Sequence, residues 1–320
     1  ILFFILTFSL CATMLLLGNT IYPVQTMVNV LLGEQIKGAS FAILTLRLPR
    51  MFAGLLAGAA FGMAGSAFQT MLRNPLASPY IIGVTSRSSV AAVFCIIVLK
   101  ASGPIVSIAS VFSGLVVAGI IYLLSKCGSF SGGKLILIGI GIQAMLNAII
   151  SFIMIKAPQY DIPAAVRWLS GSLNGVQISE IKWLLAAMAV FGSCIAFLGR
   201  HLKILELGEQ SAVILGINAD KLRLAIVLSS VFLIAFSSAV TGPIAFIAFL
   251  SGPIAKKIAG TGMPNEIPSA FVGAALTLGA DLIGQFAFSI RFPVGIITGI
   301  LGAPYLIFLL IRINRTGGSL

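Results

Sequence analysis

Apolar residues fill ten stretches of roughly helix length, joined by short polar segments. They lie near 1–18, 50–71, 80–99, 103–125, 135–155, 181–199, 222–241, 243–258, 268–287 and 293–312. A helix needs roughly 20 residues to cross a bilayer. The runs are continuous and do not alternate, which excludes a membrane β-barrel. They predict an all-α polytopic membrane protein with about ten transmembrane helices in one domain, residues 1–320. Ile1–Leu17 reads as a first span, because no cleavage motif follows it. One segment breaks the pattern. Arg200–Arg223 (RHLKILELGEQSAVILGINADKLR) is charged throughout and cannot span. It predicts short amphipathic helices on the cytoplasmic face, broken or capped at Gly208-Glu209 and at Gly216-Ile217-Asn218. A structured loop in a chain without a soluble domain suggests a docking place for another protein.

Composition sharpens this reading. The chain is 59% hydrophobic and 9% charged, with mean hydropathy +1.12. Too few polar residues exist to cover a soluble exterior. The net charge of +12 does not mean nucleic acid, because the 20 Lys and Arg are scattered at loop positions. With the N-terminus in the cytoplasm, Arg73, Arg87, Lys126, Lys134, Arg200, Lys203, Lys221, Arg223, Lys256, Lys257, Arg312 and Arg315 fall inside. Lys37, Arg47, Arg50, Lys100, Lys156, Arg167, Lys182 and Arg291 fall outside. That bias obeys the positive-inside rule. Four separated cysteines and the single His201 offer no zinc or iron site.

Three candidates for chemistry remain. Gly128–Leu135 (GSFSGGKL) approaches a phosphate-binding loop, but Leu135 stands where Ser or Thr must hold magnesium, and no strand precedes it. No nucleotide site or cofactor is expected, so any ATP-driven work must come from a partner. Asp281 is the sole carboxylate deep in a span. Such an acid can serve a proton-coupled carrier, but one isolated acid fits helix packing or hydrogen bonding better. Arg47 and Arg50 lie one turn apart at the start of a span. Both are expected at the surface, either as headgroup anchors or as a cationic dock for an acidic partner.

The stretch from Arg47 to Pro79 (RLPRMFAGLLAGAAFGMAGSAFQTMLRNPLASP) carries Gly54, Gly58, Gly62 and Gly65 on a smooth helix face, then breaks at Arg73-Asn74-Pro75-Leu76. Together with LILIGIGIQAM (135–145), RWLSGSLNG (167–175), LELGEQSAVILGIN (205–218), TGPIAFIAFLSGPIAKKIAG (241–260) and FPVGIITGILGAPYLIFLL (292–310), it resembles the FecCD-type permeases. These are the membrane subunits of ABC importers for iron-siderophores, haem and cobalamin.

The resemblance implies a type II ABC importer permease in the bacterial cytoplasmic (inner) membrane. Its partners would be a second permease subunit, two ATPase subunits that bind the ATP, and a periplasmic or lipid-anchored substrate-binding protein. It implies docking arginines at Arg47 and Arg50, and a gate at Asn74 and Leu76 with Gly132 and Gly133 on the other side. It implies ATPase contacts along Glu206–Asn218, including Gly208, Glu209, Ser211, Leu215 and Gly216. The sequence departs from the family at three places. Gly252-Pro253 replaces a Pro-His pair. Arg87 replaces a glycine and becomes a candidate pathway residue. Gln285 replaces a third docking arginine, for which Arg291 is the substitute. The wording of the motifs favours a ferric siderophore over haem or cobalamin. An ion-coupled secondary carrier would need more intramembrane acids or inverted repeats.

Overall fold

The structure is a computed structural model that describes residues 2–75, 77, 84–126, 132–260 and 262–315. Every regular element among them is helical. In chain order these are α1 (Leu2–Leu16), α2 (Val24–Leu31), a π-helical turn (Phe41–Arg47) running into α3 (Leu48–Leu72), α4 (Val84–Ile97), α5 (Pro104–Lys126) and α6 (Gly132–Ile155). Then come α7 (Ile162–Leu169), α8 (Ile178–Ala187) joined by a π segment to α9 (Ser193–Glu206), α10 (Glu209–Ile214), α11 (Ala219–Thr241), α12 (Ile247–Ala259), α13 (Glu266–Phe286) and α14 (Val294–Arg315). The end carrying Arg47 is called the outer end, following the charge-based topology.

All ten apolar runs coincide with helices, but they are not equal. Six helices are long and apolar enough to cross a bilayer; Leu2–Leu16, Ser88–Ile97 and Val294–Leu309 are apolar but shorter. α12 is 13 residues, contains Pro253 and ends in Lys256 and Lys257. It starts only after a non-helical Gly242–Phe246 connection, so its run is split between loop and helix. The even ten-span pattern expected from hydropathy is therefore six clear spans plus shorter pieces. The chain is a multi-pass membrane protein on those six alone.

α3 lies at the centre, against α13, α11 and α12. Its buried residues occupy every side of the helix. The small residues let α13 approach in an antiparallel register that advances four residues at a time. Arg50 meets Asp281, Gly58 meets Gly273, Gly62 meets Ser269, and Ser66 meets Asn265. The contact is backbone on backbone: a Cβ built on Gly273 would lie 2.2 Å from the Gly58 carbonyl oxygen. Gly65 does the same against Ala248 of α12, at 1.7 Å. This is the small-residue packing of membrane helices, where close approach replaces the hydrophobic drive that lipid removes. The glycine face expected from sequence is thus a two-sided seam, Gly58 and Gly62 on α13 and Gly65 on α12.

Candidate functional site

An open cleft of about 660 Å³ sits at the outer end. Its walls are the end of α1 and the loop after it, the π-helical turn, the start of α3, residues 173–179, Gln285 and Arg291. It brings together all three arginines expected to dock a partner, and no carboxylate lines it. They are not equivalent.

Arg47 points back into its own subunit. Its Nη1 donates to the carbonyls of Leu15 (2.8 Å) and Leu16 (2.9 Å), and its Nη2 to that of Thr20 (2.6 Å). The last carbonyls of a helix have no partner within it, and a cation there satisfies them and the helix dipole together. The guanidinium carbon also stands 5.0 Å over the Tyr22 ring, within cation–π range. Gly18 leaves the room: a Cβ there would meet Arg47 Nη2 at 2.2 Å.

Arg50 is bound at two points. Its Nε donates to Asp281 Oδ2 and its Nη2 to Oδ1, both at 2.8 Å. Asp281 is buried, 1% exposed, against 15% for the Arg50 side chain. Gln285 Nε2 donates to the same Oδ2 at 2.7 Å. Arg50 Nη1 has only Asn174 Oδ1, at 3.5 Å. The expectation of two surface arginines is therefore corrected: both are half-buried and bonded inside the subunit. The reason is electrostatic. An acid at this depth must find a cation, and the antiparallel register of α3 and α13 delivers Arg50. Asp281 is thus a helix-tying residue, as its isolation suggested. Arg291 donates to Asn19 Oδ1 at 2.5 Å. Among the described residues no carboxylate pairs with Arg47 or Arg291.

Of the segment 200–223 only α10 is a separate short helix. Arg200–Glu206 is the end of α9 and Ala219–Arg223 the start of α11, both parts of helices long and apolar enough to cross a bilayer, so the expectation of a row of short surface helices is corrected. Gly208 (φ 127°) precedes α10, and Gly216 (φ 79°) follows it; both are backbone conformations that cost other residues. The Asn218 side chain accepts from Lys221 N–H and caps α11. Glu206 lies 3.8 Å from Lys203 and 3.6 Å from Lys256 of α12. Glu209 pairs with Arg223 at 2.7 Å. That hydrogen bond, then the Arg223 charge, hold its carboxyl below the usual value. Ala212 is buried and anchors α10, while Leu207, Val213, Ile214 and Leu215 are exposed. Ser211 hydrogen-bonds back to the Leu207 carbonyl at 3.5 Å.

At the cytoplasmic end of α3, Arg73 takes a left-handed conformation (φ 49°). Asn74 N–H closes the helix on the Gln69 carbonyl at 3.1 Å, a Schellman-type ending. Leu76 lies outside the described residues, as do residues 128–131 and the side chain of Arg87. Gly132 and Gly133 open α6, with Gly133 exposed. Gly252, where the resemblance implies a Pro-His pair in place of Gly252-Pro253, is met from α3: Gln69 donates to the Phe249 carbonyl at 3.0 Å and its Oε1 fills the space a Gly252 Cβ would take.

Sequence reasoning found Arg50, Asp281 and Gln285 singly but not their joining. The signal was present: one deep acid demands one cation at matching depth. Tyr22 and Asn19, which complete the cleft, carried no signal, and Asn174 stood only within the RWLSGSLNG motif.

Comparison with known proteins fits this architecture. A solved ABC transporter chain, assigned provisionally to the metal-chelate type and caught facing inward, superposes with a TM-score of 0.86 over 97% of both chains, at 24% identity. The ferric enterobactin permease FepG of Escherichia coli is 33% identical over 89% of this chain and 87% of its own length. The Fe(3+)-citrate import permease YfmE of Bacillus subtilis is 35% identical over 84% and 82%. Residues 2–312 match the FecCD transport family as a whole, and the chain belongs to that family.

Proposed function

We propose that this chain is a permease subunit of an ATP-binding-cassette importer that moves a ferric siderophore across the bacterial cytoplasmic membrane. The carrying observation is its likeness, over more than four-fifths of each length, to relatives named for ferric enterobactin and Fe(3+)-citrate transport. Permeases named for achromobactin and iron(3+)-hydroxamate stand at 32%. Ten crossings, a second permease subunit, two ATPases that bind the ATP, and a substrate-binding protein complete the reading. The outer cleft with Arg47, Arg50 and Arg291 receives the binding protein. The exposed apolar face of α10 receives an ATPase, and Glu206, Gly208, Glu209, Ser211, Leu215 and Gly216 shape it. Asn74 and Leu76, with Gly132 and Gly133 opposite, close the pathway, and Arg87 stands near its mouth.

The test is uptake of ⁵⁵Fe-siderophore into proteoliposomes holding the permease pair and its ATPases. Uptake that needs internal ATP and external binding protein supports the reading. Uptake driven by an ion gradient without ATP overturns it.

A further inference from the structure

The three cleft arginines differ in what surrounds them, and the difference assigns separate tasks. Asp281 takes Nε and Nη2 of Arg50 in a two-point grip. Gln285 holds the carboxylate from behind through Oδ2. A guanidinium has five N–H donors in a rigid planar fork. The grip uses two and fixes the plane. The Nη1 end is left toward the cleft, with a single long contact to Asn174. Arg291 is different: it lines the same cleft, bonds a neutral amide and has no acid partner.

We propose that Asp281 and Gln285 are positioning residues of the outer dock. Asp281 neutralises Arg50, and the two together aim its Nη1 edge at one carboxylate on an incoming acidic protein surface. Arg291, and Arg47 behind its backbone carbonyls, keep the uncompensated charge that draws that surface in. This rests on the reading of the cleft as the binding-protein dock. Arg50 sets register and holds the bound state; Arg291 sets the rate of encounter. An uncompensated charge governs association and its salt dependence, whereas a buried, hydrogen-bonded pair governs dissociation.

The test is the kinetics of the matching substrate-binding protein on the complete transporter in nanodiscs, at two salt concentrations. Arg291→Gln slows association several-fold and flattens its salt dependence, with dissociation unchanged. Asp281→Asn keeps the shape, frees the Arg50 charge and loses the grip. Association holds or quickens with a steeper salt slope, and dissociation accelerates about tenfold. Gln285→Met leaves the ion pair intact, loosens only the carboxylate, and accelerates dissociation less. It also serves if Asp281→Asn does not assemble. A purely structural Asp281 would lower the melting temperature and leave both rate constants of the folded fraction unchanged; that result overturns the proposal. No association with wild-type transporter removes the dock itself. Normal wild-type association with unaltered Asp281→Asn and Gln285→Met kinetics removes only this inference.

Discussion

The two ends of the molecule offer partners opposite kinds of surface. At the outer end every guanidinium of the cleft is already bonded: Arg47 to three carbonyls, Arg50 to Asp281, Arg291 to Asn19. At the cytoplasmic end α10 is held by Ala212 and one ion pair, while Leu207, Val213, Ile214 and Leu215 lie bare. The first surface is built before any partner arrives, and contributes geometry and charge. The second is an apolar face that only a partner can cover. A charge away from water is costly when unpaired, which favours bonding these guanidiniums within the subunit. Exposed apolar groups at the water boundary carry a smaller penalty and can wait.

Five substitutions break or sharpen this contrast. Asp281→Ala has the largest effect. It strands the half-buried Arg50 charge, so stability in detergent should fall by about 3–5 kcal/mol. A loss below about 1 kcal/mol, measured by thermal melting, would mean that water already screens the pair.

Gly58→Leu comes next. The first added carbon meets the Gly273 carbonyl oxygen at 2.6 Å, and overpacking of this kind costs about 1–3 kcal/mol. The cytoplasmic control is Gly216→Ala, where nothing stands within 4 Å and only the positive φ resists; about 1–2 kcal/mol is expected there. If the Gly216 variant loses that much stability yet keeps ATPase stimulation by substrate, the turn at Gly216 is not needed for coupling.

Arg47→Met removes the cap on the end of α1 at a cost of about 2 kcal/mol, the range for hydrogen bonds to a charged group. Protease cutting near Gly18 should rise in step, and an unchanged digest pattern would show that α1 holds without its cap.

Glu209→Gln is the smallest. The Glu209–Arg223 pair is exposed on the carboxylate side, so about 0.5 kcal/mol is expected, and less in high salt. Arg223 holds the carboxyl of Glu209 below its ordinary value. The contribution is therefore complete above about pH 4.3 and disappears as pH falls through the lower folded-state value. Melting curves of wild type and Glu209→Gln should converge below that range; a gap that persists there would contradict the assignment.

The sequence was most legible where structure is local. Gly54, Gly58, Gly62 and Gly65 announced a close-packed face, and Gly208 and Gly216 announced the breaks around α10, because both depend on spacing or on one residue's backbone. The helical class followed from unbroken apolar runs. What was not legible was remote. Arg50 and Asp281 stand 231 positions apart, and no local pattern reports which helix will lie beside which. Helix length was also hidden, since hydropathy sees the apolar run 243–258 but not that Gly242–Phe246 stays non-helical and leaves α12 short. Substituted positions were hardest. Gly252 reads as a loss, and only the structure shows Gln69 reaching across from α3 to fill the space.

The seam between α3 and α13 has a mechanical meaning. From Arg50 to Ser66 its partners are locked in step, with peptide groups touching where side chains would otherwise give. Two such helices cannot slide along each other without prising the glycines apart, so they behave as one beam. At about 1.5 Å per residue the locked stretch from Arg50 to Ser66 makes that beam about 24 Å long. A tilt imposed beside the outer cleft must therefore reappear at the Asn74 turn. Cysteine bridges tying α3 to α13 should leave uptake intact, whereas ties from either helix to α5 or α6 should arrest it. Arrest by the first kind of bridge would mean that the seam itself opens.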